Sequence, residues 1–364
     1  MIETLQLQNF KRHSATTIAL HPLTILVGPN GAGKTSVLEA LHMLSRLDTT
    51  SVDALLKGPL ALERVARRRD DVREMLLQVA GRTAGGPEVV RLLCKREREG
   101  EPRLGDRWTG PIELQVIDDQ PWGPLPLSRS LLEQDWGDYW PELHSCAMMR
   151  IDPRRVCVPS QAAASAVIAS DGACLPTVLA NLKLADDGSW DRLLEALQRL
   201  VPEVQRFRTR PTTVETAAGG VSGYALFFDT NSGTDLRAED MSDGTLVLLA
   251  LLAVIYSPAR PRLLLLDSLE TALHPTAQMR LTKVLRKLVE DDPSLQIVAT
   301  THSPFIADCV PPEAVQVFAK AADGTTGVRS LAEHPEAERF RGRLSSGQLW
   351  TLDDEEHWVF GETP

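Results

Sequence analysis

Lys34 and Thr35 are the residues best equipped for chemistry. They close the run GPNGAGKT at positions 28–35, which meets every fixed position of the pattern G-x-x-x-x-G-K-[ST]. A lysine and a hydroxyl at that spacing, behind a glycine-rich turn, suit a nucleoside triphosphate. Lys34 is expected to reach the β- and γ-phosphates, and the Thr35 hydroxyl to hold Mg²⁺. Gly28, Gly31 and Gly33 let the backbone turn tightly and aim its amides inward. Asn30, Gly31, Ala32, Gly33, Lys34, Thr35 and Ser36 together form the candidate phosphate cradle.

Three later stretches carry partners for this loop. Asp267 closes the apolar run 263–266 (LLLL), the Walker B arrangement, and is expected to hold the same Mg²⁺ through water. Thr35 and Asp267 are the candidate metal ligands. His302 follows the run 296–300 (QIVAT), where a neutral imidazole could hydrogen-bond a γ-phosphate oxygen. Ser242 is a good N-cap for the long apolar stretch after it, and Gly244 would let a phosphate approach the free amides. Taken singly, a capped buried helix at 242 and a structural histidine at 302 explain these residues equally well. Their order along the chain favours the phosphate reading.

These residues need strand, turn and helix to position them. Residues 23–27 (LTILV) read as a buried strand and 36–44 as a helix, the context the loop requires. Ile2, Leu5, Leu7 and Phe10 suggest one strand and residues 17–20 a second, in a hairpin leading into the nucleotide strand. Residues 53–80 read as helical, with Arg64, Arg67, Arg68, Arg69 and Arg73 close together. Residues 89–94 and 112–117 read as strands, and 121–126 as a rigid turn. Further strands are expected at 148–151, 204–210, 224–228, 263–266, 296–300 and 315–318. Helices are expected at 175–184, 190–200, 242–256 and 276–290, with another starting near Ser303. Residues 320–364 read as a polar tail whose acidic run, 353–356, is a solvated helix face. Trp108, Trp122, Trp136 and Trp140 could stack bases, though a local core or partner surface is the simpler reading. No heptad run points to a long coiled coil.

At 364 residues the chain can hold two domains, or one large domain with an insertion. Its 43% hydrophobic and 24% charged fractions are ordinary for a globular protein, and a net charge of −10 argues against nucleic-acid binding by bulk charge. The longest apolar run, 246–256, is too short to span a bilayer, and the N-terminus lacks the features of a signal peptide. Five cysteines without a C-x-x-C pair read as free thiols of a reducing cytosol. A cytoplasmic protein without membrane contact is therefore expected.

Together these motifs resemble the RecF, OLD and SMC branch of ABC-type ATPases. The opening LQLQNFK (5–11) is similar to that branch's start, and LDSLETALHP (266–275) to its D-E-P-E…L-H-P segment. Residues 242–245 (SDGT) resemble its signature; 150–155 and 171–182 resemble its middle region. The resemblance implies an α/β fold: an ABC-type P-loop ATPase head with a mixed central sheet, N-terminal antiparallel strands and an inserted α+β/helical lobe. On that reading the ATPase core comprises 1–46 and 219–319, the inserted lobe 47–218, and a C-terminal extension 320–364. It also implies ATP and Mg²⁺ as cofactors and an ATP-dependent, head-to-tail homodimer. Nucleotide would lie between Lys34 of one subunit and Ser242 of the other.

Two departures qualify the resemblance. The family's residue after the Walker B aspartate is usually a glutamate that polarises water; here it is Ser268, a poor base near neutral pH. Glu270 could take over, hydrolysis could be slow, or ATP could be bound without turnover. Asp267, Glu270 and His302 are thus the candidate catalytic residues. Secondly, the 62 residues after His302 (303–364) are too few for the nuclease domain of OLD-type relatives, so no nuclease is expected in this chain. The favoured function is an ATP-dependent switch in DNA repair or anti-phage defence, acting on DNA, an effector or a nuclease partner. The alternatives are a non-hydrolysing module that sequesters a toxin or nuclease, a transporter's nucleotide-binding subunit and a small-molecule kinase. The 206 residues between Thr35 and Ser242 fit the transporter poorly, and the ordered later motifs are left unexplained by the kinase. Basic stretches at 64–73, 91–98, 154–155 and 206–210 read as solvated faces that could line a phosphate track.

Overall fold

Partial alternation marks the N-terminal strands: Leu5 and Leu7 lie two apart, while a register shift between Ile2 and Thr4 and left-handed Asn9 interrupt the period. In β1 (Ile2–Phe10) the side chains of Ile2, Leu5, Leu7 and Phe10 are buried, and β2 (His13–Ala19) folds back with Phe10 opposite His13. The computed structural model describes residues 1–47, 62–67, 72, 74–83, 86–95, 112–118, 143, 145–185, 187–217 and 219–361. Trp108, Trp122, Trp136, Trp140, the turn at 121–126 and the arginines at 68, 69, 73, 96 and 98 lie outside the described residues. Two compact units emerge. The first comprises 1–146, 262–267 and 285–364, the second 147–261 and 268–284.

The first unit holds two sheets. The N-terminal hairpin joins β4 (Glu74–Thr83), β5 (Gly86–Lys95) and β6 (Ile112–Asp118) in an antiparallel sheet of order β2-β1-β4-β5-β6. The helix expected over 53–80 is corrected here. Among its described residues only Leu62–Val65 is helical, and β4 begins at Glu74. Met75, Leu77 and Val79 are buried while Leu76, Gln78 and Ala80 are half-exposed, which is strand periodicity. The second sheet carries β3 (Leu23–Val27), β12 (Leu263–Leu266), β13 (Gln296–Thr300), β14 (Val315–Lys320) and β15 (Thr326–Ser330). Its order is β15-β14-β3-β13-β12, with β14, β3, β13 and β12 parallel and β15 antiparallel. Strands β3, β12 and β13 are buried at every position because both their faces are covered. Helix α1 (Lys34–Ser45) follows β3 and packs Val37, Leu38, Leu41 and Leu44 near β12 and β13.

Buried Gln296 ties the two sheets together. Its Nε2 donates to the Ile2 carbonyl (2.7 Å), and its Oε1 accepts from the Ile2 amide (3.1 Å). The tail expected to be polar is better structured than that. After β15 it carries α6 (Ser346–Trp350) and α7 (Glu355–Phe360), with Leu331, Trp350, Trp358 and Val359 buried. The acidic run caps α7: Asp354 accepts from the Glu356 amide, and Glu355 accepts from Trp350 Nε1 at 3.0 Å.

The second unit centres on α4 (Asp243–Tyr256), whose residues from Thr245 to Ile255 are all buried. Helix α2 (Leu175–Ala185) and amphipathic α3 (Ser189–Leu200) pack on it. Strand β7 (Cys146–Met149) starts two residues earlier than expected, and β8 is Ser160–Gln161. Long β9 (Val204–Thr216) and β10 (Gly219–Thr230) form a hairpin, with β11 (Gly233–Arg237) antiparallel on the other edge of β10. Helix α5 (Pro275–Asp291) starts in this unit and ends in the first. All five cysteines are free thiols, and burial pushes Cys94 and Cys146 up to about 12. Among the described residues no helix is long and apolar enough to cross a membrane.

Candidate functional site

The chemistry-bearing residues of the first unit sit at the carboxyl ends of adjacent parallel strands, where open α/β sheets bind ligands. The loop 28–33 leaves β3 and opens α1. Asp267 ends β12, and His302 lies just past β13. Thr35 Oγ1 donates to Asp267 Oδ1 at 3.0 Å, and Thr300 Oγ1 donates to the same oxygen at 2.8 Å. The two expected metal ligands, 232 positions apart in sequence, therefore meet. Thr300, which sequence reasoning missed, orients the carboxylate from β13. Lys34 is buried, and its Nζ donates to the carbonyls of Gly28 (2.7 Å) and Pro29 (2.9 Å). Among the described residues no group of three or more His, Cys, Asp or Glu side chains could hold a metal ion. One hydroxyl and one carboxylate, with the remaining positions left to phosphate and water, is the donor set that suits Mg²⁺. His302 is exposed; the Thr301 amide before it donates to Leu26 O (3.0 Å), anchoring this strand end to β3.

The loop is gripped from outside by residues that no motif marks. His13 Nε2 meets the Gly33 carbonyl at 3.2 Å, its Nδ1 meets Thr16 Oγ1 at 3.1 Å, and Thr326 Oγ1 donates to the Ala32 carbonyl at 2.9 Å. Burial holds the His13 imidazole down to about 4, against a smaller upward pull from the Gly33 carbonyl. Phe318 of β14 touches both ends of the arrangement. Its ring lies edge-on to His13, and a Cβ at Gly28 would stand 2.2 Å from its carbonyl oxygen. Gly28 (φ +132) therefore has two reasons to lack a side chain.

The remaining expected site residues belong to the second unit. Ser242 caps α4 as anticipated, its Oγ accepting from the Thr245 amide at 3.2 Å. Gly244 serves packing: a Cβ there would come within 2.8 Å of the Ala272 carbonyl oxygen. That contact joins the helix start to the loop after Asp267. In this loop Ser268 (φ +58) and Ala272 (φ +61) both adopt left-handed backbone, uncommon for residues with a Cβ. Backbone turns, Thr271 N to Ser268 O and Leu273 N to Glu270 O (both 3.0 Å), hold Glu270 half-buried within it.

The basic stretch at 206–210 keeps Arg206 and Arg210 on a solvated face, and its arginines are paired with acids there. Arg206, Arg208 and Arg210 share one face of β9 and are engaged by Asp229 and Asp235. Asp229 accepts from Arg206 Nε (2.5 Å) and Arg208 Nη2 (2.7 Å), and Asp235 pairs with Arg208 and Arg210. The Asp235 amide and then the arginines hold the Asp229 carboxyl below its usual range. Arg155 pairs with Asp171 (3.0 Å), and Arg91 continues a polar ladder through Gln78 to Gln6.

Strand order, the loop after β3 and the carboxylate after β12 define a P-loop nucleotide-binding head. Comparisons with known proteins agree. Residues 1–75 match the family model "AAA ATPase domain", and 177–308 match "AAA domain, putative AbiEii toxin, Type IV TA system". The chain is 33% identical over 118 residues to the DNA replication and repair protein RecF of Chloroflexus aggregans (32% of this chain, 23% of the relative). It is 52% identical over 44 residues to the DNA double-strand break repair Rad50 ATPase of Methanopyrus kandleri (12% and 5%). With the OLD nuclease of Thermus scotoductus it shares 46% over 44 residues (12% and 8%). The chain thus spans less than a quarter of the length of these three relatives. An SMC head bound to the C-winged helix domain of ScpA shares the fold, with TM-score 0.63 and 15% identity over 90% of this chain and 97% of the other. The SMC head domain from Thermotoga maritima does so with TM-score 0.52 and 14% identity (90% and 98%). The family matches, the relatives and the shared fold together support an ABC-type ATPase of the RecF/OLD/SMC branch.

Proposed function

We propose that this chain binds ATP with Mg²⁺ and acts as an ATP-dependent dimer switch that turns nucleotide over slowly. The observation that carries the reading is the meeting of Thr35 and Asp267 on one hydrogen bond, with Thr300 holding the same carboxylate oxygen. A hydroxyl and an oriented carboxylate beside a glycine-rich loop are the protein's share of a Mg²⁺–triphosphate site. Mg²⁺ there would neutralise phosphate charge. Lys34 and the amides of 31–36 would grip the phosphates, while His302 would contribute a hydrogen bond from beyond β13. Ser242 and Gly244 would complete the site of a second copy. Ser268 after Asp267 supports slow turnover, because a hydroxyl is a weak base, and Glu270 is the carboxylate that would replace it.

The relatives named for DNA repair support a role on DNA, and the toxin named in one family description supports defence through a partner effector. The protein would then work in the cytoplasm. Ser268 also favours a second reading, a non-hydrolysing module that holds a toxin or nuclease while ATP is bound. Size-exclusion chromatography with Mg²⁺ and a non-hydrolysable ATP analogue, paired with a steady-state ATPase assay, tests both. The first reading expects a nucleotide-dependent dimer and slow, Lys34-dependent phosphate release. A monomer at every concentration contradicts the switch, and a dimer without phosphate release selects the second reading.

A further inference from the structure

Two consecutive carbonyls of the phosphate loop are held by side chains from strands distant in sequence. Thr326, at the start of β15, donates to the Ala32 carbonyl at 2.9 Å, and its own side chain is buried. His13, at the start of β2, reaches the Gly33 carbonyl at 3.2 Å. A carbonyl can only accept, so His13 Nε2 carries the proton. Its Nδ1 is then bare and accepts from the Thr16 hydroxyl at 3.1 Å. The imidazole is thereby locked in one tautomer, fully buried and edge-on to Phe318.

The peptide unit makes these two contacts consequential. In a trans peptide the C=O and the following N–H point in opposite directions. Holding the Ala32 carbonyl outward therefore aims the Gly33 amide inward, and holding the Gly33 carbonyl outward does the same for the Lys34 amide. Those amides lie at the start of α1, where an anion would be received. Gly33 fits between the two grips only because it has no side chain. A Cβ there would stand 2.8 Å from His13 Nε2 and 3.1 Å from Thr326 Oγ1, on a backbone at φ +104.

We propose that His13 and Thr326 are positioning residues of the nucleotide site, an outer clamp that presets the Gly33 and Lys34 amides toward phosphate. The inference rests on the ATP-binding reading of the loop. It adds that binding depends on the N-terminal hairpin and on β15, neither of which belongs to the loop motif.

Hydrogen exchange of the amides at 33–35 in the nucleotide-free chain tests the clamp, alongside titration with a non-hydrolysable ATP analogue and Mg²⁺. Thr326→Val removes the donor at nearly constant volume; Thr326→Ser and His13→Gln keep one. With Thr326→Val these amides should exchange roughly 2- to 10-fold faster, and analogue affinity should fall by a similar factor, the span of one hydrogen bond. Thr326→Ser should restore both to near wild type, and His13→Gln should stay closer to wild type than His13→Leu. Unaltered exchange and affinity in Thr326→Val would overturn the clamp. If the wild-type chain fails to bind the analogue, the ATP reading falls by itself, and the exchange measurement still decides the clamp.

Discussion

The loop at 28–35 and the loop at 268–274 both begin where a buried strand ends, yet they are held differently. The first is braced from three strands outside it. His13 from β2, Phe318 from β14 and Thr326 from β15 all bear on its backbone, and its left-handed positions are glycines. The second is held by its own backbone turns and by the close approach of Gly244 to Ala272, and its left-handed positions are Ser268 and Ala272. Left-handed backbone at a residue with a Cβ costs of order 1 kcal/mol and persists where the surroundings demand it. The contrast teaches that the loop proposed to grip phosphate is braced with redundancy, whereas the side chain usually expected to polarise water is a serine on an unusual backbone.

The largest expected effect comes from making the second loop conventional. Ser268→Glu should raise steady-state turnover by roughly 100-fold, the lower end of what a positioned general base supplies. Unchanged turnover, together with loss of activity in Glu270→Gln, would show Glu270 to be the base and weaken the contrast.

A pH series probes the first loop. His13 stays neutral in the folded chain because burial lowers it to about 4, against 6.5 when unfolded, with the Lys11 charge adding to the depression. Its contribution to stability is fully present above pH 6.5 and is lost as pH falls toward 4, where the unfolded chain takes the proton first. The melting temperature of the wild type should therefore drop more steeply across that window than that of His13→Gln. Parallel curves would mean the histidine is not held as described.

A smaller effect is expected from Gly244→Ala. The added methyl meets the Ala272 carbonyl at 2.8 Å, so the variant should lose about 1–2 kcal/mol in thermal unfolding and weaken nucleotide-dependent dimerisation. Wild-type stability would indicate that the loop after Asp267 yields freely.

Much of the first loop was legible in sequence. The fixed positions of GPNGAGKT, the apolar run before Asp267 and the N-cap at Ser242 are local signals, and the structure places them on β3–α1, β12 and α4. What escaped is what depends on pairing between distant strands. His13 lay in a link between two expected strands, and Thr326 in a tail read as polar, and neither has a spacing that points to Gly33 or Ala32. The acidic partners of the β9 arginines were not legible in sequence, because Asp229 and Asp235 reach them only through the β9–β10–β11 register. The misread helix over 53–80 failed for another reason. Met75, Leu77 and Val79 carry period-two burial, but arginine and leucine are good helix formers, and tertiary pairing with β1 overrode that propensity.

Calorimetric titration of Mg²⁺–ATP into the wild-type chain and into Lys34→Ala is the most direct measurement. One site per chain is expected, dependent on Mg²⁺ and weakened about 10- to 100-fold by Lys34→Ala, as suits loss of a charge-assisted contact to phosphate. Absence of binding to the wild type, or equal affinity in the two proteins, would contradict the assignment of residues 28–35 and Asp267 as the nucleotide site.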